Sequence, residues 1–127
     1  MREIYRTVKM DIDGKETTFR VAKLDAFSGA QLLQLVRRYL PKAERGQKVG
    51  DLVEPIFMAL KGEELKGLMV SCMNHTEIQL EAGWHPVMRG EDWGWPEIEH
   101  DTGICLKLVL ECVLWSLDSF FGGVGSK

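Results

Sequence analysis

The sequence predicts an α+β domain, with an N-terminal β-hairpin followed by a mainly helical region packed around one long C-terminal helix. Three observations predict it. Apolar residues alternate with polar ones on both sides of Asp13-Gly14. After about residue 24 their spacing changes to the threes and fours of a helix. Finally, the run Asp101 to Phe121, DTGICLKLVLECVLWSLDSFF, contains no Pro, and no Gly after Gly103.

In the first segment, Ile4, Val8, Met10 and Ile12 alternate with polar residues, and after the turn Thr17, Phe19 and Val21 do the same. Asp-Gly between two such runs favours a two-residue hairpin, because both turn positions accept positive φ. Strands are expected at about residues 3 to 12 and 15 to 23. Phe27-Ser28-Gly29-Ala30-Gln31-Leu32 then has the spacing of a capping box (Ser28, Gln31) and of a hydrophobic staple (Phe27, Leu32). Leu32, Leu35, Val36, Tyr39 and Leu40 form the apolar stripe of that first helix, and Pro41 stops it. Residues 42–50 read as a polar loop.

A short helix is expected around Asp51 to Leu60, where Val53, Ile56, Phe57 and Leu60 share one face. Gly62 separates it from the next helix, whose first turn carries Glu63 and Glu64 at the positive end of the dipole. Leu65, Leu68, Met69 and Cys72 are its apolar face, and Asn74 its end. From Thr76 the helical period is lost: Ile78 and Leu80 alternate with polar neighbours, Gly83 allows a turn, and Trp84 to Met88 can return as a strand. In the long final run Ile104, Leu108, Leu110, Val113, Leu114, Leu117, Phe120 and Phe121 recur at helical spacings. Lys107, Glu111 and Asp118 fall along one narrow stripe. Asp101 or Thr102 caps it and Gly122-Gly123 closes it. Its length, roughly 30 Å, would suit a membrane span, but each internal charge would cost about 2.5 to 3.5 kcal/mol at mid-bilayer. It reads as the core helix of a soluble domain over residues 1–121, with 122–127 as a flexible Gly-rich tail.

A net charge of −3 argues against nucleic acid as partner, since phosphate binding needs a basic footprint. The N-terminal residues lack the continuous apolar stretch of a signal peptide, so an intracellular, cytoplasmic chain is expected. Cys72, Cys105 and Cys112 are odd in number and show no CxxC spacing, which favours buried free thiols. Only Cys72 and His75 are spaced like a zinc pair, and tetrahedral zinc usually takes two such pairs. No Gly-x-Ser-x-Gly elbow, P-loop or dinucleotide fingerprint occurs, and no cofactor is implied. Glu91, Asp92, Glu97, Glu99 and Asp101 do not have EF-hand spacing and read as a solvated acidic loop.

The unusual feature is aromatic. Trp84, Trp93 and Trp95 lie in a Gly- and Pro-containing segment without periodicity. They read either as a lid folded over the helices or as a recognition surface, Trp being enriched among interface hot spots. Asp118 sits near the negative end of its helix, where a carboxylate is unfavourable, and Phe120 and Phe121 follow it. That combination points to a site completed by another chain, or to fraying of the last turn.

The stretches IDGKETTFRVAKLDAFSGAQLLQLVRRYLP, EDWGWPEIEHD and LVLECVLWSLDSFF, in this order, resemble the tail assembly chaperones of long-tailed bacteriophages. The resemblance is one of element order: hairpin, capped helix, helical middle, Trp-Gly segment and long helix ending in Phe-Phe. It implies a protein without enzymatic activity that binds the tape measure protein, helps recruit tail tube subunits in the host cytoplasm and self-associates as a homo-oligomer. A small adaptor or regulatory interaction domain is the alternative, and a small hydrolase or metal enzyme using the Trp and acidic loop a third.

Overall fold

The computed structural model describes residues 3–39 and 57–125, with the side chains of 39 and 119–125 outside that description. Strands β1 (Tyr5–Ile12) and β2 (Lys15–Ala22) form the expected hairpin. Asp13 at φ 53° and Gly14 at φ 80° make a turn with two left-handed positions, whose twist matches that of the strands it joins. Helix α1 (Ala26–Tyr39) and helix α2 (Gly62–Asn74) precede strands β3 (Thr76–Leu80) and β4 (Gly83–Pro86). A short ribbon follows, β5 (Met88–Arg89) with β6 (Asp92–Trp93), then a 3-10 turn at Pro96–Ile98 and the long helix α3 (Thr102–Gly125). Most of the helix expected at Asp51 to Leu60, and the loop at 42–50, lie outside the described residues; residues 57–59 are helical.

The α+β class is as expected, but the hairpin is not a separate unit. β3 pairs antiparallel with the inner edge of β2, and β4 with β3, so the sheet has the order β1-β2-β3-β4. Alternation fixes its two faces. Val8, Met10, Phe19, Val21 and Ile78 point inward, and α3 lies across that face against β2 and β1, flanked by α2 and α1.

The buried stripe of α3 is Cys105, Leu108, Val109, Cys112, Val113, Ser116 and Leu117, a regular recurrence at threes and fours. Leu110 and Leu114, expected in the core, are only half buried. Because the helix is apolar over most of its circumference, several stripes were equally available to it in the sequence. Ser116, the one buried polar side chain of the stripe, accepts the Leu24 N–H at 3.0 Å and ties the entry of α1 to α3. The helix also continues through Gly122 and Gly123 to Gly125 rather than closing at Gly122. Glycine costs about 1 kcal/mol relative to Ala in a helix but does not forbid it.

The start of α1 differs from expectation too. Asp25 is the cap: its Oδ2 accepts the N–H groups of Phe27 at 3.1 Å and Ser28 at 3.2 Å. Ser28 is thus the third helical residue, and Phe27, 85% exposed, staples nothing. The Ser28 hydroxyl and backbone N–H hold the Asp25 carboxyl below its usual range, and His75, with Nε2 3.3 Å from Asp25 Oδ1, acts in the same direction. Both Asp and Ser are good caps, and only the chain's path decides between neighbours.

Two outcomes are expected. Leu108→Ala or Leu117→Ala, each at a fully buried position, should cost about 2 to 5 kcal/mol in a denaturant titration. Asp25→Ala should cost about 1 kcal/mol at neutral pH. Because the folded pKa of Asp25 is depressed, its contribution is complete above the unfolded value, about 3.9, and disappears as pH falls through the folded value. The stability gap between wild type and variant should therefore close in acid.

Candidate functional site

The Trp segment is held by its backbone. Val87 N–H donates to the Thr76 carbonyl at 3.0 Å, and the Val87 carbonyl accepts Gly94 N–H at 2.8 Å and Trp95 N–H at 3.1 Å. Asn74, at the end of α2, donates to the carbonyls of Val70 and Gly90 and accepts the Gly90 N–H, clamping the β5–β6 turn to the helix. His85 Nε2 lies 2.9 Å from the Gly94 carbonyl. The chain passes so close here that a Cβ on Gly94 would strike the Pro86 carbonyl oxygen. Gly94 is present because two backbones meet.

This arrangement separates the three tryptophans. Trp95 packs edge-on to Phe19, with centroids 5.8 Å apart and planes at 67°, and lies half buried against the core. Trp93 is half buried and lines a groove. Trp84 lies on the outer face of the sheet, where the Arg20 guanidinium sits 4.4 Å from its ring centroid and 3.9 Å from that of Tyr5. Arg20 also donates from Nε to Glu77 Oε1 at 2.7 Å. Four neighbouring strands thus supply one cluster, from which Trp93 and Trp95 are absent.

The groove holding Trp93 runs between α2, the β5–β6 ribbon and the start of α3, with a volume of about 450 Å³. Its apolar surface comes from Leu65, Met69, Val70, Met73, Met88 and Trp93. Thioethers fill irregular shapes and adapt to different partners. The rim is charged: Lys66 Nζ lies 3.0 Å from Glu91 Oε1, which raises the Lys66 pKa, and Glu99 stands beside it. Two other depressions are more polar. One of about 350 Å³ between α1 and α2 carries Gln31, Gln34, Arg38, Glu63 and Glu64. One of about 560 Å³ near the hairpin turn carries Asp13, Lys15, Glu16 and Glu97.

Glu91, Asp92, Glu97, Glu99 and Asp101 are all exposed. Asp101 caps α3, accepting Ile104 N–H at 3.1 Å. Among the described residues no three His, Cys, Asp or Glu side chains converge as a metal site. The three thiols are free and buried. The Cys72 thiol is pushed up by its hydrogen bond with Cys112 and by burial, and Cys105 chiefly by burial, so chemistry that needs a thiolate is disfavoured at Cys72 and Cys105. Asp118 is exposed near the end of α3; Phe120 and Phe121 share that helix, but their side chains lie outside the described residues.

Sequence reasoning missed Trp115. Its Nε1–H donates to the Ile4 carbonyl at 2.8 Å, with Lys23 Nζ 4.6 Å and Arg6 5.7 Å from its ring centroid. Nothing within α3 signals it, because its cations come from the N-terminal segment. Comparison of the chain with protein-family models, curated proteins and solved structures finds no match.

Gly94→Ala should force Pro86 and the Trp segment apart, costing about 1 to 3 kcal/mol as overpacking does. Near-ultraviolet circular dichroism should report it as loss of tryptophan asymmetry with the helical signal retained.

Proposed function

We propose that this chain is a non-enzymatic protein-binding module of the tail assembly chaperone kind, holding the tape measure protein non-covalently and bringing tail tube subunits to it. The resemblance in element order supplies the partner. One observation carries the binding mode: the methionine-lined groove beside Trp93, whose apolar floor and charged rim suit an apolar stripe bounded by polar residues. An amphipathic helical segment presents such a stripe through residues spaced by three and four. Among the described residues no helix is long and apolar enough to cross a membrane.

The site residues divide accordingly. Trp93 is the groove residue, Trp95 packs on Phe19 outside the groove's lining, and Trp84 serves the opposite face of the sheet. Asp118, Phe120 and Phe121 are proposed as a further contact at the end of α3.

Co-expression with a tape measure protein of a long-tailed bacteriophage tests the reading. Wild-type protein should be captured with it. Trp93→Ala and Met69→Lys should weaken capture by about 2 kcal/mol or more, the scale of an interface hot spot. Trp84→Ala should leave capture unchanged, and Trp95→Ala should act mainly through stability. Equal capture by wild type and both groove variants would remove the groove from the interface, and no capture by wild type would remove the partner.

A further inference from the structure

Strand β1 is the edge of the sheet, and among the described residues nothing pairs with its outer side. Which of its backbone groups face outward follows from one hydrogen bond. The Lys23 N–H donates to the Ile4 carbonyl, so Ile4 turns its backbone toward β2. In an antiparallel ladder this alternates: residues 6, 8, 10 and 12 also turn inward, while Tyr5, Thr7, Lys9 and Asp11 present N–H and C=O to open solvent. The side chains of those four lie on the outer face and are all exposed.

On that face the monomer is electrostatically incomplete. Asp11 stands directly opposite Glu16 in the ladder, and both are exposed. Like charges in this position are destabilising. Among the described residues neither carboxylate has an ion-pair partner, and neither has Lys9.

We propose that β1 is a self-association edge: two copies pair their β1 strands antiparallel about a twofold axis at Met10, so that Lys9 of each copy faces Asp11 of the other. Both four-stranded sheets then become one eight-stranded sheet. Each Asp11 gains a lysine on its free side, opposite the repulsive Glu16. The outward backbone groups of residues 9 and 11 meet as hydrogen-bonded pairs.

The other registers fail on the same residues. An axis at Lys9 or at Asp11 sets like charges against each other, and an axis at Val8 sets Lys9 against Thr7 and Asp11 against Tyr5. A shift by one residue would bring inward-turned backbone groups against outward ones and exchange the two faces. Continued stacking is disfavoured, because the remaining edge, β4, is four residues long and ends in Pro86, which offers no N–H. The association therefore closes as a dimer. β1 contributes no residue to the methionine groove, so the dimer stands apart from the groove's function.

Charge exchange tests it by sedimentation of the full chain. Wild type should show a monomer–dimer equilibrium. Lys9→Glu and Asp11→Lys should each weaken dimerisation about tenfold, since each sets like charges together in both symmetric pairs. The double variant K9E/D11K should restore it, because both pairs are then remade with their signs exchanged. Asp11→Lys also replaces the repulsion with Glu16 by attraction, so dilute protein should melt no lower than wild type, and loss of dimer cannot be assigned to unfolding. A wild-type chain that remains monomeric at about 100 µM, or a double variant no tighter than the single ones, would overturn the proposal.

Discussion

The burial of α3 is the constraint on which the other elements depend. Its apolar residues occupy most of its circumference, so water must be excluded from it on several sides. β1 and β2 cover one side, α2 another, and the chain around Val87 and Ile98 closes its beginning. Polar groups trapped by this arrangement are paired: Ser116 with Leu24, Thr76 with the Cys72 carbonyl at 2.9 Å. Among the described residues no buried side-chain nitrogen or oxygen is left without a partner. That matters because each unpaired group there would cost of order 1 to 3 kcal/mol.

The Trp segment translates that packing into a surface. Val87 is fully buried, and its carbonyl receives two N–H groups from the chain returning at Gly94 and Trp95. With Val87 fixed, Trp95 must turn inward to Phe19, while Trp93 in the adjacent ribbon faces the methionines of α2. The groove is therefore a consequence of core anchoring on one side and the Asn74 clamp on the other. Trp95, turned to Phe19, and Trp93, turned to the groove, are neighbours in one segment.

Charge follows a different logic on the outer face of the sheet. Arg20 is satisfied within the monomer by Glu77, Tyr5 and Trp84, whereas Asp11 and Glu16 repel each other two rows away. Exposed pairs of this kind carry little energy, usually below about 1 kcal/mol. Their weight lies in selecting one register among several that the backbone would accept.

The sequence by itself determined what depends on neighbours along the chain. The Asp13-Gly14 turn, the two strands, the limits of α2 and the cap of α3 to within Asp101 or Thr102 were legible, because periodicity and turn chemistry act over a few residues. Where two local signals competed, the sequence did not choose: Asp25 and Ser28 are both good caps, and the path of the chain from β2 selected Asp25. Nor did it say which face of α3 is deepest. Leu110 and Leu114 are as apolar as Leu108 and Leu117, and only the position of the sheet and α2 distinguishes them. The separation of Trp84 from Trp93 and Trp95, and the meeting of Arg20 with Tyr5 and Trp84, were decided by tertiary structure alone. Which residues share a face across strands depends on register, and register is a relation between segments far apart in the chain.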